Sequence, residues 1–137
     1  MFEKQKTVIV VEDEPDAAEL FAEMMRVSGL RVLKTFSSTP AISMIAKEIP
    51  DVVILDVMMP DVSGLEVLRF MRREPLLKHI PVIVVSARSM PSDIKEGLEA
   101  GATLYLTKPV GYLDLKQAVE QVVQKKHDDG LGLELPS

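Results

Sequence analysis

The sequence predicts an α/β fold in which five strands form a doubly wound parallel sheet with helices on both faces. Three observations support this prediction. Apolar, strand-like runs alternate with helix-like segments along the whole chain. The run at 52–55 (Val-Val-Ile-Leu) has no polar alternation, which is typical of a strand buried on both faces of a parallel sheet. Several runs end in acids, a hydroxyl or a lysine, as expected at the sheet edge where such folds bind ligands.

The first two strand–helix units are identified by apolar spacing and by capping residues. A strand over 7–11 precedes a helix that begins at Pro15, where the missing N–H of proline costs no hydrogen bond, and Gly29 suits its C-terminal cap. The strand over 31–35 is more polar and is expected at an edge of the sheet. The second helix is predicted to begin at Thr39. Its predicted inner face consists of Ile42, Ile45, Ala46 and Ile49.

The remaining units follow the same alternation. A helix capped by Ser63 follows the buried strand, and a strand over 82–85 comes next. Ser92 or Asp93 is predicted to cap the fourth helix. The last strand, 103–106, leads to a final helix with four inward residues: Leu115, Ala118, Val119 and Val122.

Composition favours a small soluble protein and excludes several kinds of site. The chain has 137 residues, of which 47% are hydrophobic, and no cysteine, so a thiolate nucleophile and a cysteine zinc site are ruled out. The formal net charge of −5 argues against direct nucleic-acid binding through a general basic surface. No apolar stretch approaches the ~20 residues that a membrane span requires, so we expect no membrane contact and a cytoplasmic location. We predict one domain over 1–127 and a C-terminal tail or the start of a linker over 128–137.

Acidic, hydroxyl and basic residues follow the predicted strands at positions where their side chains can form one site. Glu12 and Asp13 follow the first strand, Asp56 the third, Ser86 the fourth and Lys108 the last. The carboxyl ends of parallel strands meet at one edge, so these side chains should share a site. Three carboxylates and one lysine leave excess negative charge, which raises carboxyl pKa values or recruits a cation, and oxygen ligands suit Mg²⁺ (or Mn²⁺). Aspartate is a known phosphoryl acceptor, which makes Asp56 the candidate phosphoacceptor.

Four short motifs, in this order and spacing, resemble the receiver domain of two-component response regulators. They read Val-Val-Glu-Asp-Glu-Pro at 10–15, Asp-Val-Met-Met-Pro at 56–60 with Gly64 after it, Val-Ser-Ala at 85–87 and Leu-Thr-Lys-Pro at 106–109. The resemblance covers the chain from residue 7 to about residue 126. It implies the flavodoxin-like (βα)5 receiver fold, similar to the chemotaxis regulators, with strand order 2-1-3-4-5.

The resemblance implies a role for each acid of the site. Asp56 would accept a phosphoryl group from a phosphohistidine on a sensor histidine kinase or a histidine phosphotransfer protein. Asp13 and Asp56 would ligate Mg²⁺, with Glu12 contributing through a water and Met58 through its backbone carbonyl.

The resemblance also implies roles for the residues after the last two strands. Ser86 and Lys108 would contact the phosphoryl group. Tyr105 resembles the aromatic switch that turns inward when Ser86 moves, so these two residues would form the switch. The Lys108–Pro109 peptide would be cis.

Two bulky residues suggest a hypothesis about hydrolysis. Met58 lies two positions after Asp56, and Arg88 lies two positions after Ser86, so both should flank the route of an attacking water. We therefore expect Met58 and Arg88 to slow hydrolysis of an acyl phosphate.

The function predicted from these features is a phosphorylation-controlled switch without catalytic output of its own. Its output surface would be formed by the fourth helix, the last strand and the last helix, and would contact a downstream effector or an output domain. A weak homodimer through the same surface is a further candidate. Residues 102–105 and 117–119 lack the acid and the arginine found in relatives with winged-helix output domains, so that subfamily's charged dimer seam is not expected.

Other classes of function remain as alternatives. One is a receiver-like module for interaction or dimerisation that acts independently of phosphate. Another, disfavoured, is an aspartyl-phosphate phosphatase: those enzymes need an acid two positions after the nucleophile, and here that residue is Met58. A dinucleotide-binding domain is also disfavoured, because the first strand is followed by acids and not by a glycine-rich turn.

Overall fold

The computed structural model describes residues 4–130, with side chains described as far as residue 123. Within this range, five strands and five helices alternate. They are β1 (Thr7–Val11), α1 (Pro15–Val27), β2 (Arg31–Thr35), α2 (Ser38–Glu48), β3 (Val52–Leu55), α3 (Gly64–Arg73), β4 (Val82–Ser86), α4 (Pro91–Ala100), β5 (Leu104–Thr107) and α5 (Tyr112–Gly130). The strands form one sheet in the order β2-β1-β3-β4-β5, and each neighbouring pair is parallel. The predicted fold class and strand order are confirmed.

The sheet separates two apolar layers, because successive side chains of a strand point to opposite faces. On one face the strands pack against α2 and α3, through Ile9, Val11, Ala41, Ile45, Val53, Leu55, Val67, Leu68 and Met71. On the other face they pack against α1 and α5, through Val8, Val10, Phe21, Met25, Ile54, Val85, Leu115, Val119 and Val122. The central strands β3 and β4 are buried along their whole length, whereas the edge strands β2 and β5 are only partly buried. The edge position predicted for the second strand is therefore confirmed.

The inner face of α2 is narrower than its sequence suggests. Its buried residues are Ser38, Ala41 and Ile45, whereas Ala46 and Ile49 are exposed. The helix ends at Glu48, and Ile49 adopts a left-handed backbone conformation (φ 45°) that turns it away from the sheet. The prediction that Ala46 and Ile49 face inward is wrong: Ala46 lies one residue, about 100°, around the helix from the buried Ile45, and Ile49 lies beyond the end of the helix.

The start of α3 follows local capping chemistry as predicted, whereas the predicted start of α4 needs a correction. Ser63 caps α3 as predicted, since its Oγ accepts a hydrogen bond from the Leu65 N–H at 3.2 Å. Helix α4 begins at Pro91, earlier than predicted, and Met90 occupies the N-cap position. Asp93 therefore lies inside the first turn, where its carboxylate accepts a hydrogen bond from the Met90 N–H at 3.2 Å.

The last helix runs past the predicted domain boundary. Helix α5 extends to Gly130, so residue 127 lies within it, and residues 131–137 of the predicted tail lie outside the described residues. The division into a domain and a tail stays a prediction. Among the helices of the described residues, none is long and apolar enough to cross a membrane.

Candidate functional site

Three polar residues extend the sheet by one main-chain hydrogen bond each beyond the ends of the strands. The N–H groups of Glu12, Asp56 and Lys108 donate to the last carbonyl of β2, β1 and β4, at 3.1, 3.0 and 2.8 Å. Each residue directly follows the last residue of a strand, so its backbone is held by the sheet while its side chain emerges at the edge. Strand order thereby brings together residues that lie up to 96 positions apart in the sequence.

One lysine pairs with two carboxylates at this edge. The Lys108 Nζ donates to Glu12 Oε1 at 2.7 Å and to Asp56 Oδ2 at 3.1 Å. Glu12 is 2% exposed and Asp56 is 6% exposed. The same ammonium lies 5.9 Å from the centre of the Phe21 ring, within the range of a cation–π interaction. The pairs satisfy charges that would otherwise be costly to bury.

Asp13 adds a third carboxylate to the pair. One oxygen from each of Glu12, Asp13 and Asp56 can be chosen so that all three lie within 4.8 Å of one another. Asp13 is exposed, and within residues 4–123 its carboxylate has no hydrogen bond or ion pair. Three negative groups thus face one positive group. This oxygen-only donor set, with its excess negative charge and one open carboxylate, fits Mg²⁺.

Burial and the neighbouring charges shift the pKa values of Glu12 and Lys108. Burial raises the pKa of Glu12 and the nearby Asp56 charge adds to this, against hydrogen bonds from Lys108 and from the Glu14 N–H. Burial alone would lower the pKa of Lys108, but the hydrogen bond to Glu12 and the charge of Asp56 outweigh it, so its pKa is raised. Lys108 is therefore held as a cation, while Glu12 is easier to protonate than an ordinary glutamic acid.

The loop after β3 (residues 56–63) folds closely around Asp56. The Met58 N–H donates to Asp56 Oδ1 at 3.0 Å, and the Gly64 N–H donates to the Val57 carbonyl at 2.9 Å. A Cβ at Gly64 would lie 2.3 Å from the Asp56 carbonyl oxygen and 2.7 Å from the Val57 Cα. Gly64, which follows the second of the four motifs, is thus needed so that the backbone can approach this closely.

The same loop is fastened to α2 by a residue that the sequence analysis missed. The Asp61 carboxylate accepts hydrogen bonds from the N–H groups of Ser38 and Thr39, both at 3.0 Å, and the Ser38 hydroxyl donates to the Val62 carbonyl. The hydrogen bond from the Ser38 N–H, followed by that from the Thr39 N–H, holds the pKa of Asp61 well below its ordinary value. No local pattern signals this cap, because its partners lie 22 and 23 residues earlier in the chain.

The predicted switch residues meet at the loop between β4 and α4 (residues 87–90, the β4–α4 loop). Ser86 is fully buried, and its Oγ accepts a hydrogen bond from the Arg88 N–H at 3.1 Å. The Tyr105 hydroxyl donates to the Arg88 carbonyl at 2.8 Å, and the Tyr105 ring is half-buried. Ser86 and Tyr105 thus hold the same residue of the loop from two sides. The Lys108–Pro109 peptide is cis, as predicted.

A cleft of about 560 Å³ opens beside the carboxylates. Its walls include Asp13, Met58, Arg88 and Tyr105. Met58 is half exposed, and the Arg88 guanidinium lies 3.5 Å from Asp93 at the rim. The structure therefore joins Glu12 and Asp56 through Lys108, with Asp13 beside them, and Met58, Arg88 and Tyr105 line the adjoining cleft. Ser86 is buried behind it, where it is bonded to the Arg88 N–H.

Comparison with known families gives a match over most of the chain. The family model for the response regulator receiver domain matches residues 8–120. The phosphate regulon transcriptional regulatory protein PhoB of Pseudomonas aeruginosa is 32% identical over 120 residues, which are 88% of this chain and 52% of that protein. The polar-differentiation response regulator DivK of Brucella ovis is 34% identical over 105 residues, which are 77% of this chain and 85% of that protein. The chain thus spans about half the length of PhoB.

Solved structures show the same fold. The receiver domain of Francisella response regulator 1452 superimposes with a TM-score of 0.83 at 27% identity, covering 88% of this chain and 98% of that one. The DrrB receiver domain, described as activated by BeF3, gives a TM-score of 0.80 at 27% identity over 88% of this chain and 99% of that chain.

Proposed function

The chain belongs to the response regulator receiver domain family of two-component signalling, and from the geometry of its site we propose that Asp56 accepts a phosphoryl group. One observation carries the proposal. The Asp56 carboxylate lies 3.1 Å from the Lys108 ammonium, and an oxygen of it lies within 4.8 Å of oxygens of Glu12 and Asp13. A nucleophile, a phosphoryl-binding cation and a metal-binding donor set therefore occupy one edge of the sheet.

The proposed reaction is a phosphoryl transfer from a phosphohistidine of a histidine kinase or phosphotransfer protein. An Asp56 oxygen attacks phosphorus, an O–P bond forms, and the N–P bond of the donor breaks, with the electron pair leaving on the imidazole nitrogen. Lys108 then pairs with a phosphoryl oxygen in place of the Asp56 oxygen that it contacts now. The Ser86 hydroxyl, released from the Arg88 N–H, donates to another.

Glu12, Asp13 and Asp56, with the backbone carbonyl of Met58, are the groups proposed to hold Mg²⁺ (or Mn²⁺), Glu12 through a water. When bound, the ion would supply positive charge that offsets the carboxylates and the incoming phosphoryl group. The protein's own contribution is to fix Asp56 and Lys108 on main-chain hydrogen bonds, so that the acceptor is positioned before the donor arrives.

The proposed output is a change in the surface formed by α4, β5 and α5. Tyr105 on β5 bonds to the β4–α4 loop, and that loop is bonded in turn to Ser86. If Ser86 turns to the phosphoryl group, the Arg88 N–H loses its acceptor and the loop can rearrange, carrying Tyr105 with it. A downstream effector, an output domain or a second copy of the chain would read the altered surface. A cytoplasmic location is part of this proposal.

Receiver domains are signalling modules, and we propose that this chain is modified stoichiometrically and does not turn over substrate. The residue two positions after Asp56 is Met58, whose side chain has no proton to give a leaving group. A generic phosphate ester should therefore not be hydrolysed repeatedly.

Intact-mass measurement of phosphorylation tests the proposal. The protein is incubated with a small acyl phosphate donor, with Mg²⁺ or with EDTA, as the wild type, as Asp56→Asn and as Asp114→Asn. Asp114 is an exposed aspartate in the first turn of α5 and serves as the matched control. We expect a gain of one phosphoryl group, only with Mg²⁺, in the wild type and in Asp114→Asn. Labelling of Asp56→Asn, or no labelling of the wild type, would contradict the proposal.

A further inference from the structure

The loop after β3 orients the phosphoacceptor through its own backbone. The Met58 N–H donates to Asp56 Oδ1 at 3.0 Å, and the other oxygen of the same carboxylate accepts from the Lys108 ammonium at 3.1 Å. The Asp56 carboxylate is therefore held between a backbone amide and a cation. Because the amide belongs to the loop, the orientation of the carboxylate depends on where the loop lies.

The loop is attached to α2, a helix that carries none of the predicted site residues. The Asp61 carboxylate uses both oxygens for this, accepting from the Ser38 N–H at Oδ1 and from the Thr39 N–H at Oδ2, each at 3.0 Å. One position further on, the Val62 carbonyl accepts a hydrogen bond from the Ser38 hydroxyl. Two consecutive loop residues thus make three hydrogen bonds to the first turn of α2.

These three bonds are of a kind that can hold an exposed loop in place. Ordering a loop costs conformational entropy at each residue, and hydrogen bonds to an ionised acceptor are stronger than those between neutral groups. The Asp61 carboxylate also lies at the N-terminus of a helix, where the helix dipole favours negative charge. Ser38 is fully buried, so the loop is fastened to a part of α2 that packing itself holds fixed.

We propose that Asp61 is a positioning residue that keeps the Met58 amide on the Asp56 carboxylate and thereby sets the affinity of the carboxylate cluster (Glu12, Asp13 and Asp56) for a divalent cation. The apparent dissociation constant of the cation rises as the fraction of molecules with a correctly placed loop falls. The inference about cation affinity rests on the proposed function of the site, whereas the inference about the loop does not.

Three variants release the loop to different extents. Asp61→Ala removes both acceptor oxygens, Asp61→Asn keeps one of them, and Ser38→Ala removes the hydroxyl without changing the net charge. The matched control is Asp51→Ala. Asp51 likewise accepts a hydrogen bond from a distant main-chain N–H, that of Thr7 at 2.8 Å, but it does so at the opposite edge of the sheet.

Amide hydrogen exchange, followed by NMR in EDTA, tests the position of the loop without metal or phosphate. The Met58 amide should exchange about three to ten times faster in Asp61→Ala than in the wild type, and by a smaller factor in Asp61→Asn. The amide of Ile54, in the buried strand β3, reports global unfolding and provides the reference within each protein. Asp51→Ala should leave the ratio of the two exchange rates unchanged. An unchanged ratio in Asp61→Ala would overturn the proposal.

Binding of Mn²⁺, measured from the EPR signal of the free ion, tests the link to the carboxylate cluster. The dissociation constant should rise about three- to tenfold in Asp61→Ala and about two- to fivefold in Ser38→Ala, whereas Asp51→Ala should bind like the wild type. The effect of Ser38→Ala cannot come from the loss of a negative charge. Since Asp61 and Ser38 hold the same loop, the double variant should show less than the product of the two factors.

The outcomes separate this proposal from the proposed function. Faster exchange of the Met58 amide with unchanged Mn²⁺ affinity would overturn the positioning role, and so would weaker binding in Asp61→Ala with none in Ser38→Ala. If Asp61→Ala does not fold, Asp61→Asn and Ser38→Ala decide the question, because each leaves part of the attachment in place. If the wild type binds no Mn²⁺, the proposed metal site fails and the affinity role with it, while the exchange experiment still decides whether Asp61 holds the loop.

Discussion

Replacing Asp13 by asparagine should make the metal-free protein more stable and should remove most of its stabilisation by Mg²⁺. The change is nearly isosteric, and Asp13 is exposed, so packing is preserved. Only one negative charge is removed, from a group of three carboxylates that Lys108 neutralises in part. The prediction therefore isolates the electrostatic cost of assembling this site.

The magnitude follows from the spacing of the oxygens. Carboxylate oxygens lie within 4.8 Å of one another, where two unit charges repel by about 3.5 kcal/mol at an effective dielectric constant of 20 and by about 0.9 kcal/mol in water. Asp13 is exposed, so the lower value applies to each of its two pairs, and the nearby Lys108 offsets part of the sum. We expect Asp13→Asn to gain about 1 kcal/mol of unfolding free energy in EDTA, or about 3 °C in Tm.

Urea unfolding in EDTA and in excess Mg²⁺ provides the assay. At a Mg²⁺ concentration of about 100 Kd, the wild type should gain about 2.7 kcal/mol, and Asp13→Asn should gain much less. Glu99→Gln, an exposed acid on α4, controls for the change in net charge and should behave like the wild type. The reasoning would be refuted if Asp13→Asn were less stable than the wild type in EDTA, or if Mg²⁺ stabilised both proteins equally.

Three further predictions concern the same edge of the sheet. Burial raises the pKa of Glu12 above its ordinary 4.5, so its stabilising contribution is full below that value and is lost as the pH rises through the folded pKa. In EDTA the wild type should therefore lose stability relative to Glu12→Gln as the pH rises above about 4.5, and a constant difference in urea titrations would count against this. Gly64→Ala forces a Cβ onto the backbone of the Asp56 loop and should destabilise the protein by about 1–3 kcal/mol in chemical denaturation, while Gly111→Ala stays near the wild type. Met58→Asn should shorten the lifetime of the phosphorylated protein several-fold, because it replaces a bulky apolar side chain that lines the cleft by an amide that can orient water. An unchanged decay rate of the purified phosphoprotein would contradict this prediction.

The features that sequence analysis predicted best are those with uninterrupted local patterns. The strands β1, β2 and β3 have the predicted bounds, and the acids after the apolar strands β1 and β3 lie at the predicted edge. A buried parallel strand cannot include a charge, so the first polar residue marks its end. For this reason Asp56 could be located without knowledge of any partner.

The features that sequence analysis missed are contacts between distant segments. Asp61 bonds to the first N–H groups of α2, up to 23 residues away, and Gly97 lies against the ring of Tyr105 on the following strand, where a side chain would collide with it. Neither residue differs, in its local sequence, from an ordinary loop acid or an ordinary helix-weakening glycine. The start of α4 was misplaced for a different reason, since Pro91 and Ser92 both suit a first turn and local preference does not choose between them.

The double attachment of the loop after β3 affects how a partner would bind. The loop is closed at one end by the Gly64 N–H on the Val57 carbonyl and tied near its middle by Asp61 to the start of α2. Its shape thus exists before any encounter. A protein docking over Asp56 would meet a preorganised rim and lose little chain entropy in ordering it, so that association there approaches rigid-body recognition.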